Sequence, residues 1–389
     1  MKKFTRRDFL KTTSTAALAA GAVGAGLLSP RRAWSAVPMV RMAYILSDHH
    51  APLIVAATNG ERFQQDYGLW LKPLSQGKLY ELTDNSGRLA RVQLIPTKKG
   101  PDVEKLVAQG SVDIAISGTQ AILMTVDRGV DSHIISPLQN AGNVFVVDKK
   151  LDMNDWASFV KYVKGQGRRF KIGMPGPHTV AAIIFRSALD NEGISYTENA
   201  ADKKADVLFI NMKGHGNLVA ALTNNITQGI IGAQPFPSVT IDRGVGRLIL
   251  NLQDVPPNHR WQGHACCSLE ATGPFMKNQA QLAQKMLTLL ALSTDLCQKD
   301  KEVTAKACSA WLGVPVSVET VAMDSLSYTT EPNAHWRRSV DIYAHTMNRM
   351  NMFNGKLKGV RGADMEKQAF DFSAMNQVRQ ELKAAGRIS

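Results

Sequence analysis

Cysteine is scarce, four residues in 389, too few to knit a small disulfide scaffold. Aromatic residues make up 7% and charged residues 20%, against 44% hydrophobic. That balance excludes disordered, collagen-like and coiled-coil chains. After residue 35 no run of about 18 apolar residues occurs, so no membrane-spanning helix is expected there. Signature motifs are missing too. There is no Gly-x-x-x-x-Gly-Lys-Ser/Thr, no Gly-x-Ser-x-Gly, no Cys-x-x-Cys and no His-x-x-x-His, and the glycines at 142, 165 and 167 do not form a dinucleotide fingerprint. These gaps remove the usual nucleotide, serine-hydrolase and zinc-enzyme readings, and no cofactor or metal is expected. Lys98-Lys99 is too short a cluster for a nucleic-acid partner.

What is present begins with Thr5-Arg6-Arg7-Asp8-Phe9-Leu10-Lys11, followed by an uncharged, Ala- and Gly-rich stretch and then Ala33-Trp34-Ser35-Ala36. This pattern predicts a twin-arginine export signal over residues 1–35, cut before Ala36, and hence a periplasmic protein. An uncleaved anchor is the competing reading. The whole chain carries a formal charge of +13; without residues 1–35 it keeps 39 basic and 32 acidic residues, a mild +7. The compartment is oxidising, so Cys297 and Cys308, which flank a polar turn between two helical patterns, are candidates for a disulfide. Adjacent Cys266-Cys267 reads as two small apolar residues of a buried strand, with a vicinal disulfide or a thiolate metal site as the alternatives.

Apolar strand patterns alternate with helical ones from Val40 to Pro137, and a second round runs from Asn143 to Arg243. The pattern predicts parallel β/α winding in two lobes. From Phe275 the periodicity is almost wholly helical, and these helices are expected to cover the first lobe. The expected organisation is a first lobe of residues 36–141 plus 252–389 and a second of 142–251, with hinge crossings near 142–148 and 251–268. Asp84-Asn85-Ser86-Gly87 signals a surface turn.

In open parallel sheets ligands bind beyond the strand C-termini. Five such loops can be marked, several of them combining Gly with Ser, Thr or Asn: Ser47-Asp48-His49-His50, Gly118-Thr119-Gln120, Gly176 to Thr179 with His178, Asn211 to Asn217 with His215, and Gln234 to Phe236. Backbone N–H groups at helix starts favour anions there, though plain capping explains any one loop. Asp48 is the only carboxylate among them, which excludes a two-carboxylate glycosidase.

These residues resemble a known family. The strand followed by Ala51-Pro52-Leu53-Ile54-Val55-Ala56-Ala57, the segment Gly110-Ser111-Val112-Asp113-Ile114-Ala115-Ile116-Ser117-Gly118-Thr119, and Gly232-Ala233-Gln234-Pro235-Phe236-Pro237 are similar to the solute-binding proteins of nitrate, sulfonate, taurine and thiamine-precursor ABC importers, over about Val40 to Leu357. The resemblance implies a type II periplasmic binding protein: two α/β lobes, two crossings, a helical C-terminal extension packed on lobe 1. It implies a monomer that closes on a small-molecule solute and delivers it to a membrane permease and its ATPase. The implied pocket falls on Ser47 to His50, Gly118 to Gln120, Gly176 to Thr179 and Gln234 to Phe236. Where the family commonly has an aromatic residue, this chain has Asp48-His49-His50. A small anionic or zwitterionic solute is expected, with no catalysis; an exported enzyme using a cleft histidine and a solute sensor are the alternatives.

Overall fold

The structure, a computed structural model, describes residues 37–165 and 168–389. The export signal expected over 1–35 lies outside them. No described helix is long and apolar enough to cross a membrane.

Two mixed sheets build two lobes. The first holds β1 (Met39–Ile45), β2 (Leu69–Ser75), β3 (Leu79–Asp84), β4 (Gly87–Thr97), β5 (Ile114–Gly118), β6 (Ser132–Ala141), β13 (Ala265–Thr272) and β14 (Leu326–Tyr328), in the order β14-β6-β13-β5-β1-β4-β3-β2. The second holds β7 (Asn143–Asp148), β8 (Phe170–Met174), β9 (Tyr196–Thr197), β10 (Val207–Asn211), β11 (Gly229–Ala233) and β12 (Gly246–Asn251), in the order β12-β7-β11-β8-β10-β9. Between Ala141 and Asn143, and again between Asn251 and Ala265, the chain passes from one sheet to the other.

The expected parallel winding holds for part of each sheet, and in the second it reaches the edge strand β9, which pairs in parallel with β10. β1 pairs in parallel with β4 and β5, and β8 with β10 and β11. The strands next to the crossings run the other way: β7 is antiparallel to β11 and β12, and β13 to β5 and β6. A strand that enters a lobe directly from the other has no crossover helix to reverse it, so it pairs antiparallel. Residues 69–97 form two hairpins, and Asp84 accepts hydrogen bonds from the Ser86 N–H (2.9 Å) and hydroxyl (2.6 Å) at the turn.

The helical pattern over Pro52 to Tyr67 is two helices, Ala51–Thr58 and Gly60–Tyr67. Asn59 ends the first by donating to the Val55 carbonyl. A Cβ on Gly60 would stand 2.6 Å from the Leu71 carbonyl oxygen, so glycine is required where the second helix meets β2.

The helix Ala280–Lys299 packs across Ala51–Thr58, with the Ser293 hydroxyl donating to the Pro52 carbonyl (2.6 Å). The Trp311 indole donates to the Tyr44 hydroxyl (3.0 Å). The C-terminal helices thus cover lobe 1. Lobe 2 is filled by rings: Phe145 lies 4.8 Å from Phe185 and 4.9 Å from Phe159, edge to face. Cys297 and Cys308, the candidate disulfide pair, are not bridged; both thiols are free and fully buried, packing as small apolar groups in the core.

Candidate functional site

The strand ends of both sheets converge on a small cavity of about 30 Å³. Its wall takes Ile45, Ser47, His49, His50, Gly100, Gly118, Gln120 and the thiols Cys266 and Cys267 from lobe 1, and Asn143, Thr179, Val180, His215 and Ala233 from lobe 2. Seven residues marked in the sequence are therefore brought together: Ser47, His49, His50, Gly118, Gln120, Thr179 and His215. Among the described residues, the lining contains no carboxylate and no lysine or arginine.

The other seven lie off the wall. Asp48 is fully buried but turned toward Glu319. Residues 48–50 form a 3₁₀ turn, in which successive side chains point about 120° apart, so His49 and His50 reach the cleft and Asp48 does not. The Thr119 hydroxyl shares a hydrogen bond with Ser268 (2.8 Å). Gly176 offers its carbonyl to the Thr179 hydroxyl (2.9 Å), which commits the one proton of that hydroxyl. The exposed His178 takes part through its carbonyl, which accepts from Gln120 Nε2 (3.0 Å) and ties the lobes together. Asn211 is exposed and caps Lys213. Gln234 accepts from the Ser238 hydroxyl (2.9 Å), and Phe236 stacks on His215 at 6.0 Å between centroids.

Hydrogen bonds fix the tautomers of three cavity histidines. The Ile45 N–H donates to His50 Nδ1 (2.9 Å), so Nε2 carries the proton, and this buried Nε2 has no partner. Burial, with His49 nearby, holds His50 well below the usual imidazole range. The Ala233 N–H donates to His215 Nδ1 (3.4 Å), and burial, followed by the neighbouring His49, pushes His215 down to about 3. Both rings are neutral donors at neutral pH. His49 Nε2 donates to the Gly142 carbonyl (2.9 Å), which turns the Nδ1 lone pair toward Cys266 Sγ (3.2 Å).

Cys266 also accepts from Asn143 Nδ2 (3.2 Å) and lies 3.9 Å from Cys267 Sγ. Burial alone would raise its thiol, but the neighbouring Cys267, His49 and His264 outweigh it, so Cys266 sits well below the ordinary thiol range. Burial and the neighbouring Cys266 hold Cys267 well above it.

A second hollow of about 280 Å³ is lined by Leu46 and Phe236, by Lys98 and Lys213 from opposite lobes and by Trp311. Sequence reasoning missed Asn143, Cys266 and Cys267 as cavity residues, and set Lys98 aside as a weak nucleic-acid signal. Only the paired lysines and the unusual cysteine doublet could have pointed to them.

The helices Thr119–Asp127 and Val180–Asn191, one from each lobe, start at this cavity, and neither has a side-chain cap. A family model described as the NMT1-like family matches residues 35–312. An uncharacterised protein of Methanocaldococcus jannaschii is 34% identical over 105 residues, 27% of this chain and 72% of its own. Among solved structures, the periplasmic nitrate-binding protein NrtA from Synechocystis PCC 6803 superposes with a TM-score of 0.69 at 16% identity, covering 91% of each chain. The ligand-binding component of an ABC-type import system from Staphylococcus aureus, with zinc bound, gives 0.66 at 14% identity, over 88% of this chain and 99% of that one. The alkanesulfonate-binding protein SsuA from Xanthomonas axonopodis pv. citri, bound to MOPS, gives 0.61 at 14%, over 86% and 99%. At these identities the likeness is one of fold: two α/β lobes of the periplasmic binding protein type.

Proposed function

The chain belongs to the NMT1-like family, and from that premise we propose that it captures a small anionic or zwitterionic solute in its interlobe cavity and hands it to an ABC permease and ATPase in the membrane. Export by the twin-arginine route to the periplasm and a monomeric state are part of this reading. The nitrate-binding and alkanesulfonate-binding proteins of like fold support it by analogy.

One observation carries the charge and size of the solute. The cavity walls offer two uncapped helix starts and the unpartnered His50 Nε2–H, while no carboxylate faces in. Donors without a counter-charge select an anion. A volume of about 30 Å³ exceeds the roughly 10–15 Å³ that one water needs, so a nitrate-sized oxyanion matches the closed form better than a long alkanesulfonate. Lys98 and Lys213 supply the positive mouth.

The test is a thermal-shift screen over nitrate, taurine, alkanesulfonates, bicarbonate and pyrimidine amines, because a ligand that binds only the folded state raises the midpoint by mass action. An anion or zwitterion should produce the shift, shrink the radius of gyration in solution scattering and remain chemically unchanged. Stabilisation by cationic amines alone, or turnover of the ligand, rejects the proposal.

A further inference from the structure

Cys266 interrupts the pairing of its strand. On the β6 side Ala265 pairs with Asn140 and Cys267 with Gln139, which leaves Cys266 as an extra residue. Consecutive side chains of a regular strand point to opposite faces; a bulge re-aims one of them. Here it sets both thiols on the wall of a single cavity.

The third member is His49. Its Nδ1 lies 3.2 Å from Cys266 Sγ and 3.8 Å from Cys267 Sγ, and the sulfurs are 3.9 Å apart. A tetrahedral zinc ion with bonds of about 2.3 Å to sulfur and about 2.0 Å to nitrogen spans edges of about 3.5 Å (S to N) and about 3.8 Å (S to S). Each observed edge is within about 0.3 Å of that triangle. The His49 Nε2–H is committed to the Gly142 carbonyl, which leaves the Nδ1 lone pair free and fixes the ring, as metal-bound imidazoles require. Asn143 donates to Cys266 from behind.

We propose that Cys266, Cys267 and His49 bind a thiophilic closed-shell cation, zinc(II) or copper(I), with the remaining coordination position facing the interlobe cavity. Two sulfurs and one imidazole form a soft donor set that suits these ions and not magnesium or calcium. Binding is an exchange and needs no oxidant: the cation forms bonds to the sulfurs, and the thiol protons leave for solvent. The site does not depend on the importer reading, since it needs only this chain.

The test uses the full chain, stripped of metal and reduced. Zinc(II) is titrated against a chromophoric chelator, and copper(I) against bathocuproine disulfonate without oxygen. One equivalent of at least one ion should bind, and Cys266→Ser and His49→Gln should each weaken it by more than the roughly 10- to 100-fold that loss of a supporting residue costs. A Cys297→Ala/Cys308→Ala double variant should bind normally. Should the ligand variants fail to fold, the wild-type protein still decides it: bound ion should protect Cys266 and Cys267 from alkylation, read by peptide mass spectrometry. Failure of both ions to bind, equal binding by all variants, or no protection overturns the site. The solute screen run without metal stands or falls separately.

Discussion

Asp48 and Glu319 face each other in the interior of lobe 1, and among the described residues no other group donates a hydrogen bond to either carboxyl. The bond open to them is the one they make together when one of them holds a proton. Burial, then the charge of Glu319, lifts Asp48 well above its ordinary range, and burial pushes Glu319 up to about 7. The pair sits behind the cleft, where the Asp48 N–H donates to the lobe-2 carbonyl of Gln234 (3.3 Å) and the Tyr328 hydroxyl donates to the Asp48 carbonyl (2.9 Å).

A carboxyl whose folded pKa is raised stabilises the fold below its unfolded value, and that stability is lost as pH climbs through the folded value. For Glu319 the window opens at the ordinary 4.5 and closes beyond about 7. Wild-type stability should therefore fall between pH 5 and 8 by on the order of 2–3 kcal/mol from this pair. Glu319→Gln supplies an amide donor to Asp48 at every pH, so its unfolding midpoint should exceed that of wild type at pH 8 and differ little at pH 5. Identical pH profiles would refute the shared proton.

The alternation of strand and helix is a local signal, and the apolar runs around Val40 to Leu46 and Val112 to Ser117 placed β1 and β5 close to where they fold. The loops beyond those strands could be marked for the same reason. What the pattern cannot carry is direction set at long range. Asp48 points inward because it sits in a 3₁₀ turn, and Cys266 reaches the cavity because its register against Asn140 and Gln139 slips by one. Neither depends on neighbours in sequence. The break at Asn59 is similar, since Gly60 is needed only because β2 folds back to within 2.6 Å of where its Cβ would be.

Asp127 ends the helix whose start lines the cavity, and its carboxylate accepts the N–H groups of Asn354 (2.9 Å), Gly355 (3.0 Å) and Leu357 (2.8 Å). Bonds to a charged acceptor contribute about 1.5–3 kcal/mol each at most and are not additive. Asp127→Ala should cost about 2–4 kcal/mol in denaturant unfolding and leave the ligand-induced thermal shift intact, because the change is at the far end of the helix. A weakened shift with unchanged stability would contradict this division.

Lys98 and Lys213 approach the second hollow from opposite lobes. Like-signed groups at a cleft mouth raise the on-rate of an oppositely charged solute by roughly 10- to 1000-fold at low salt. Lys98→Glu/Lys213→Glu should slow association of an anionic solute by about tenfold or more at low ionic strength and remove most of its salt dependence, with dissociation little changed. Stopped-flow fluorescence can follow this through Trp311, which lines the same hollow. A salt-independent wild-type rate would show that the lysines do not steer.

Gly142 joins the two lobes through one carbonyl oxygen, which accepts from His49 Nε2 (2.9 Å) on one side and from the Gln234 N–H (3.1 Å) on the other. Its φ is +75°, and an added Cβ would lie 2.3 Å from Leu326 Cδ2 and 2.7 Å from His49 Nε2. Gly110 has a similar φ, +65°, with nothing within 4 Å of its Cβ position. Gly110→Ala should therefore cost only the left-handed backbone strain, about 1–2 kcal/mol. Gly142→Ala should cost that and a further 1–3 kcal/mol or so for overpacking, and it should also push His49 away from Cys266. Chemical denaturation of the two variants separates the contributions, and loss of reduced-state ion binding in Gly142→Ala but not in Gly110→Ala would tie the crossing to the thiol cluster. Equal destabilisation by both substitutions would mean that Leu326 and His49 yield freely, and that the crossing is not the rigid pivot its contacts describe.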